Sequence, residues 1–368
     1  MNIAIVLNTS WNVYNFRLGL IKALQQQNYQ VTVIAPRDEY TEKLIAEGCK
    51  FEELTMDSRG ANAVKDLGLI FELVKIYRKV KPDVVLHYTI KPNIYGTVAA
   101  KILNIPAVNN VCGLGTVFLK KNLVSKVASW MYKISFKFPK KVFFQNNYDK
   151  RLFVKNGLVK EDISDILPGS GIDLNKFASK GFRRNKKFTF LLISRLIHDK
   201  GIVEYIKAIE LLKSEGFDAK FQLLGAKDPE HKRGIKSEIV DSWIENNIVE
   251  YLGTTEDVRT YIENADCIVL PSYREGTPKT LLEAASIAKP IVTTDVPGCK
   301  DVVTNNFNGL LCKVRDPQDL ANKMRKLASY DDQTLEQFGI NGRRKVESEY
   351  DENIVINKYI ETIRSLKA

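Results

Sequence analysis

The sequence predicts an α/β protein made of two successive doubly wound, Rossmann-like domains, and three observations lead to that class. Short β-branched runs alternate with longer amphipathic stretches along the whole chain, the signature of parallel βα units. The pattern stops once, at ISDILPGSGIDLNKF (residues 163–177), and then restarts. At 368 residues and 44% hydrophobic, the chain is too long for one ordinary domain and apolar enough to fill two cores.

The first-half runs are IAIVLN, QVTVIAP, a weaker KFEELT, DVVLHY, PAVNNV and KVFFQN, separated by helical stretches such as RLGLIKALQQQ and LGLIFELVKIYRKV. The opening MNIAIVLNTS has no basic leader and no small-residue cleavage site, so it is expected to be a first strand and not a signal peptide. Residues 163–177 hold a proline, two glycines and no apolar periodicity, as a linker does. After it come FTFLLIS, KFQLLGA, VEYLG, CIVLPS, PIVTTD and GLLCKV. The expected domains are 1–168 and 169–350, with 351–368 a closing helix that packs back on the first. Two such domains imply a cleft between the carboxyl ends of their strands, where open α/β sheets bind ligands.

Composition excludes several classes. No run approaches the ~20 apolar residues of a membrane span, so no transmembrane helix is expected. The five cysteines are odd in number, scattered and without CxxC spacing, which favours a reducing cytoplasm and argues against zinc. The three histidines, His87, His198 and His231, are far apart in sequence, so no metal centre is expected.

The net charge of +11 is uneven: the first 180 residues carry 26 Lys+Arg against 15 Asp+Glu, the remainder 29 of each. Between Asp83 and Asp149 there is no acidic residue, while nine lysines, among them Lys101, Lys120, Lys121, Lys126, Lys133 and Lys137, fall in that window. Such asymmetry suits nucleic acid, phosphate or a lipid surface, the alternative being a soluble face that is merely basic. In KKNLVSKVASWMYKISFKFPKK, Leu123, Val127, Trp130, Met131, Ile134 and Phe138 recur at helical spacing beside lysines, as in an interfacial helix at anionic lipid. The competing expectation is that this stripe packs on its own sheet.

Two constellations carry chemistry. In PSYREGTPKTLLEAASIAKP (residues 271–290), Gly276 permits a sharp turn and Pro278 suits the first position of a helix running to about Ala288. The N–H groups of Lys279, Thr280 and Leu281 then form an anion site at a helix N-terminus. Glu275 precedes that helix and Glu283 lies in its second turn, so they cannot be i, i+4 neighbours. Taken alone, they read equally as a dipole partner and a solvated charge. In FTFLLISRLIHDKG, Arg195 and Lys200 lie just beyond a strand's carboxyl end, with Gly201 opening the next helix. A guanidinium fork and a point-charge ammonium beside a helix N-terminus suit a diphosphate.

SRLIHDKG with EGTPKTLLEA, 80 residues apart in the second of two Rossmann-like domains, resembles the retaining nucleotide-sugar glycosyltransferases of family 4, which have the GT-B fold. The resemblance implies that Glu275 contacts the donor sugar, that Glu283 holds the ribose hydroxyls, and that Arg195 and Lys200 bind the diphosphate. It places Gly253 and Thr254, in YLGTTEDV, beside the nucleotide base, and completes the donor site with Gly276, Thr277, Lys279, Thr280, Leu281 and Leu282. A narrower resemblance, in YNFRLGLIKAL, APRDEYTEKL, YKISFKF and YDEN, is to the bacterial transferases that add N-acetylgalactosamine to a polyprenyl-diphosphate-linked bacillosamine, and to related capsule and O-antigen enzymes. It implies a UDP-sugar donor, a lipid-linked acceptor and a cytoplasmic enzyme peripheral to the inner face of the membrane, meeting anionic lipid through its basic N-terminal domain.

The chain also departs from the broad family. Many members carry a glycine-rich loop after the first strand, whereas NTSWNVYNFR has no glycine before Gly19. Asn8, Ser10, Trp11 and Asn12 would occupy that loop, which makes Ser10 and Asn12 acceptor candidates. A frequent aromatic after E-G is Thr277 here. His87, at the end of DVVLH, is either a contact residue or a satisfied strand-end histidine. Arg17 and Lys91 are either acceptor-phosphate ligands or solvated helix charges.

The expected reaction is transfer of an N-acetylhexosamine with retention, without a metal, because Arg195, Lys200 and the helix N-terminus offset the charge on the leaving diphosphate. A nucleotide-sugar epimerase of the same fold is one alternative. A nucleic-acid-binding protein is the other, although no RNA-binding motif or arginine-rich tract is present, so no nucleic acid is expected.

Overall fold

The structure, a computed structural model, describes residues 1–56, 63–113 and 123–366. It divides into two compact units, Met1–Ser170 with Glu352–Ala368, and Gly171–Asp351. The first runs β1 (Asn2–Val6), α1 (Ser10–Gln26), β2 (Gln30–Ala35), α2 (Thr41–Ala46), β3 (Lys50–Glu53), α3 (Ala63–Val80) and β4 (Val84–Tyr88). A π-helical turn, Pro92–Gly96, leads into α4 (Thr97–Ile102), followed by β5 (Ala107–Val111), α5 (Leu123–Ser135), β6 (Lys141–Phe144), α6 (Asn147–Lys155) and β7 (Ser164–Ile166).

The second unit runs β8 (Thr189–Ile193), a 3-10 turn at His198–Lys200, α7 (Ile202–Ser214), β9 (Lys220–Leu224), α8 (Ser237–Glu245), β10 (Glu250–Tyr251) and α9 (Arg259–Asn264). It continues with β11 (Cys267–Leu270), α10 (Lys279–Ser286), β12 (Ile291–Thr294), α11 (Cys299–Val302), β13 (Gly309–Cys312), α12 (Pro317–Ala328) and α13 (Asp332–Glu349). The last helix, α14 (Glu352–Ser365), belongs to the first unit.

Both sheets are parallel, in the orders β3-β2-β1-β4-β5-β6-β7 and β10-β9-β8-β11-β12-β13. The strand order reverses beside β1 in one and β8 in the other, and at such switch points α/β sheets bind ligands. Strands covered on both faces read as continuous apolar runs, which explains IAIV, FLLI and CIVL. In the first unit, one face carries α1, α2 and α14, whose Leu20, Ile21, Leu24, Leu44, Val355, Tyr359 and Ile363 fill a common core. The other carries α3, the π turn, α4, α5 and α6, with Leu73, Tyr77, Ile94, Tyr132, Phe136 and Phe153 inside.

Three expectations need correction. The segment read as linker contributes an edge strand, β7, paired with β6; three residues are too few to show alternation. Helix α1 starts at Ser10, so only Leu7–Thr9 form the loop after β1. The Thr9 hydroxyl accepts the Asn12 N–H at 3.1 Å, and Asp38 Oδ2 accepts that of Trp11 at 2.9 Å, so a carboxylate of the chain itself covers that helix end. Finally, Lys120 and Lys121 and the Leu123 side chain lie outside the described residues, and the apolar stripe of α5 divides between its two expected roles: Met131 packs against the core of its own sheet, whereas Val127 is 44% and Trp130 64% exposed.

Candidate donor and acceptor sites

In the second unit, the two motifs meet at the carboxyl ends of β8 and β11. Gly201, in the left-handed conformation (φ 71°), joins the 3-10 turn to α7, and a Cβ there would lie 2.1 Å from the Pro271 carbonyl oxygen. Only glycine allows that approach. It brings the Tyr273 N–H to the Asp199 carbonyl at 2.9 Å and Lys200 Nζ to Glu275 Oε1 at 2.5 Å. Glu275 is further held by its N–H on the Pro297 carbonyl, 3.3 Å away. The positive φ of this region sits at Gly298 (φ 85°), which packs on the Glu275 and Gly276 carbonyls, and not at Gly276.

Pro278 is the N-cap of α10, one position before the expected one, and the helix ends at Ser286. The Leu281 N–H is bonded to the Pro278 carbonyl at 3.0 Å, so it is engaged within the first turn. The side chains of Leu281 and Leu282 are fully buried in the core, so only their backbone could face a ligand; Thr280 Oγ1 donates to the Ile193 carbonyl at 3.3 Å, tying α10 to the end of β8. Thr277 and Gly276 lie half-buried in the loop before the helix.

Glu283 is 8% exposed, with Lys279 Nζ 4.0 Å from its carboxylate. Burial raises its pKa above 4.5; the charges of Lys279 and Lys176 oppose that rise, and Asp257 adds to it. The loop past β10 therefore lies within electrostatic reach of Glu283. Gly253 in that loop has φ 72° and Thr254 is exposed. The Arg195 side chain is 58% exposed and 3.6 Å from Asp228. An exposed guanidinium, a lysine–glutamate pair and a buried carboxylate thus share one sheet edge, a set able to hold an anion beside a polyol.

The acceptor candidates of the first unit are scattered. His87 is fully buried: Nδ1–H donates to Asn109 Oδ1 at 2.9 Å, and Nε2 accepts from the Tyr77 hydroxyl at 2.8 Å. Burial depresses its pKa to about 4. This is the satisfied strand-end histidine of the two readings, with no ring nitrogen left for a ligand. Lys91 is ion-paired with Asp66 at 2.7 Å. Ser10 is fully buried, its hydroxyl donating to the Pro36 carbonyl at 2.9 Å, so it serves the fold. Asn12 is half-buried in the first turn of α1. Arg17 is 5% exposed, its guanidinium 4.3 Å from the Tyr88 ring centre and 3.7 Å from Cys112 Sγ, which removes the solvated-charge reading.

Sequence reasoning missed several partners. Asp199, inside the quoted SRLIHDKG, is paired with Arg233. Tyr273 donates its hydroxyl to Glu204 at 2.7 Å and lies 4.4 Å under Arg315. Lys176 and Asp257, which act on Glu283, belong to distant segments and left no local signal.

Residues 175–345 match the family model described as glycosyl transferases group 1, and residues 2–146 match the glycosyl transferase 4-like model. Two Rossmann-like parallel-sheet domains with these matches define a glycosyltransferase of the GT-B fold. The chain is 32% identical over 377 residues to the N,N'-diacetylbacillosaminyl-diphospho-undecaprenol alpha-1,3-N-acetylgalactosaminyltransferase of Campylobacter jejuni, covering 98% of this chain and 97% of that one. It is 26% identical over 374 residues to the UDP-Gal:alpha-D-GlcNAc-diphosphoundecaprenol alpha-1,3-galactosyltransferase of Escherichia coli, covering 95% and 94%. Among solved structures, Anabaena Alr3699/HepE in complex with UDP and glucose matches with a TM-score of 0.81 at 17% identity, over 99% of this chain and all of that one. The chain belongs to the glycosyl transferases group 1 family.

Proposed function

We propose that this glycosyltransferase moves an N-acetylhexosamine, N-acetylgalactosamine foremost, from a UDP-sugar to a polyprenyl-diphosphate-linked saccharide with retention of configuration. The observation that carries the reading is the 2.5 Å contact of Lys200 with Glu275 at one sheet edge, in a chain whose relatives of similar length act on diphospho-undecaprenol saccharides by name. In this reading Lys200 and Arg195 take the diphosphate oxygens, Glu275 accepts hydroxyl protons of the sugar, and Glu283 accepts those of the ribose. The acceptor hydroxyl oxygen bonds to the anomeric carbon on the face that the diphosphate leaves. The bond from that carbon to the diphosphate oxygen breaks, and a phosphate oxygen of the departing UDP takes the hydroxyl proton. Preorganised cations stabilise the negative charge that develops there, the role a metal plays elsewhere. The enzyme acts at the inner face of the cytoplasmic membrane, which its basic N-terminal half meets.

The test is a screen of UDP-sugars with a polyprenyl-diphosphate saccharide acceptor, reading free UDP. Release that needs both substrates, is highest with UDP-N-acetylgalactosamine and persists in EDTA is expected. Release with no donor overturns the transferase substrates; loss of release in EDTA overturns the metal-free reading alone.

A further inference from the structure

Helix α5 carries apolar residues on two faces, one packed on its own sheet and one turned outward. Among the described residues, α5 buries Tyr132 and Ser135 and partly buries Met131 against the same core, and Phe136 in the turn after it is buried too, with the Tyr132 ring packed edge-on against Phe136 and Phe153 at 4.8 and 5.1 Å. The residues it turns outward are Val127, Trp130 and Ile134, a spacing that keeps them on one helical face, and Phe138 in the turn that follows continues the stripe. On the neighbouring α4, Ile102 is 55% exposed, and Lys101 sets its ammonium 5.9 Å from the Phe138 ring centre. Leu67 and Phe71 of α3, on the same side of the sheet, are 55% and 77% exposed. A grouping of this kind marks an interaction site, because single exposed apolar residues are ordinary but several on adjoining helices are not.

The charges select the partner. Lys101, Lys126, Lys133, Lys137 and Lys140 are exposed around the stripe, and the sequence has no acidic residue from 84 to 148. The carboxylates of α3 are engaged: Asp66 by Lys91 and Tyr95, and Glu72 by the Thr55 N–H at 2.8 Å. A second protein of mixed charge would meet mainly cations here, Glu72 beside Phe71 being the exception. A bilayer with anionic headgroups offers an apolar layer for Trp130, Ile134 and Phe138 and a negative layer for lysines, whose long stems let the ammonium groups reach it.

We propose that the outward face of α5, continued by Ile102 and by Leu67 and Phe71, is the surface on which this enzyme docks to an anionic lipid bilayer. The inference rests on the lipid-linked acceptor of the proposed function and adds the residues that make the contact. Helices that follow parallel strands run back along the sheet, so Leu67 and Phe71 in the first half of α3 lie toward the carboxyl ends of the strands, Trp130 lies near the middle of α5, and Ile102, Ile134 and Phe138 lie toward the amino ends. The face therefore runs along the length of the helices rather than along one edge of the sheet.

The experiment is cosedimentation of the full chain with vesicles of phosphatidylcholine alone and of equimolar phosphatidylglycerol and phosphatidylcholine. Binding to the anionic vesicles only is expected, with at least tenfold weaker partitioning in Trp130→Glu/Ile134→Glu and in Lys133→Glu/Lys137→Glu. Brominated lipid should quench the tryptophan emission of the parent, while Trp130→Phe sediments normally and loses that quenching. All these side chains are exposed, so transfer to a water-soluble short-prenyl acceptor should stay at the parental rate, which shows the variants folded. Equal sedimentation of parent and glutamate variants overturns the proposal, as does equal binding to both vesicle types. A concentration-dependent dimer abolished by Trp130→Glu, without vesicle binding, overturns it in favour of a second copy. Vesicle binding without transfer from any UDP-sugar leaves docking standing and removes the substrate reading; transfer without vesicle binding does the reverse.

Discussion

Glu275 and Glu283 lie at one sheet edge, but their surroundings give them different properties. Glu275 is neutralised by an ammonium in contact, whereas Glu283 is buried with its nearest lysine 4.0 Å away. Glu275→Gln is therefore expected to lower kcat by roughly 10²–10³ with UDP affinity retained, and Glu283→Ala to weaken UDP by roughly 10–100-fold, as loss of charged hydrogen bonds does. Calorimetric titration of UDP beside steady-state kinetics checks both; unchanged UDP affinity in Glu283→Ala removes the ribose role. Because burial raises the Glu283 pKa, acidification should weaken UDP binding at a pH above 4.5, where an ordinary carboxylate is still charged. His87 gives a separate acid effect on stability. Its folded pKa of about 4 lies below the ordinary histidine value of 6.5, so the unfolded chain binds the proton first. The stability due to neutral His87 is complete above pH 6.5 and falls by about 1.4 kcal/mol per pH unit from there down to the folded pKa of about 4, below which nothing more is lost. Denaturant unfolding at pH 7 and pH 5 should differ by about 2 kcal/mol from this group. The histidine was legible as strand-end, but not as satisfied, because its partners Tyr77 and Asn109 come from another helix and another strand.

At the scale of elements, the site depends on the joint between the 3-10 turn and α7. Gly201→Ala puts a methyl against the Pro271 carbonyl and strains a left-handed φ, so a loss of roughly 1–3 kcal/mol is expected. Since the same joint sets Lys200 against Glu275, kcat should fall in parallel; thermal unfolding and kinetics on one preparation check this, and a variant with parental Tm and kcat would contradict the close packing. The long, apolar strands and the two motif loops were legible because burial on both faces leaves a continuous run in the sequence. Strand β7 was not, since an edge strand of three residues is defined by its partner β6 more than by its own pattern. The stripe of α5 was legible as a stripe, yet its direction was not. Aromatic Tyr132 and Phe136 compete with it for the sheet, and only packing against Phe153 shows which face wins.

At the scale of the whole chain, α14 completes the first unit from the far end of the sequence. Tyr359 accepts the Asn110 side-chain N–H at 2.8 Å, and Val355, Ile356 and Ile363 fill the core beneath α1. Four such side chains are worth roughly 6–12 kcal/mol when buried, comparable with the whole stability of a domain, about 5–15 kcal/mol. Deleting residues 352–368 should therefore unfold the first unit and leave the second, Gly171–Asp351, folded; amide hydrogen exchange on the truncated chain reads the two separately. The two-domain division was legible from the restart of the βα pattern, and YDEN at 350–353 marks where the chain passes back. That return also sets an order of synthesis. The second unit has all its residues once position 351 has left the ribosome, whereas the half made first waits for the last helix to be translated. The basic domain with its outward tryptophan is thus begun first and finished last, its core open along the α14 side until the final helix is made.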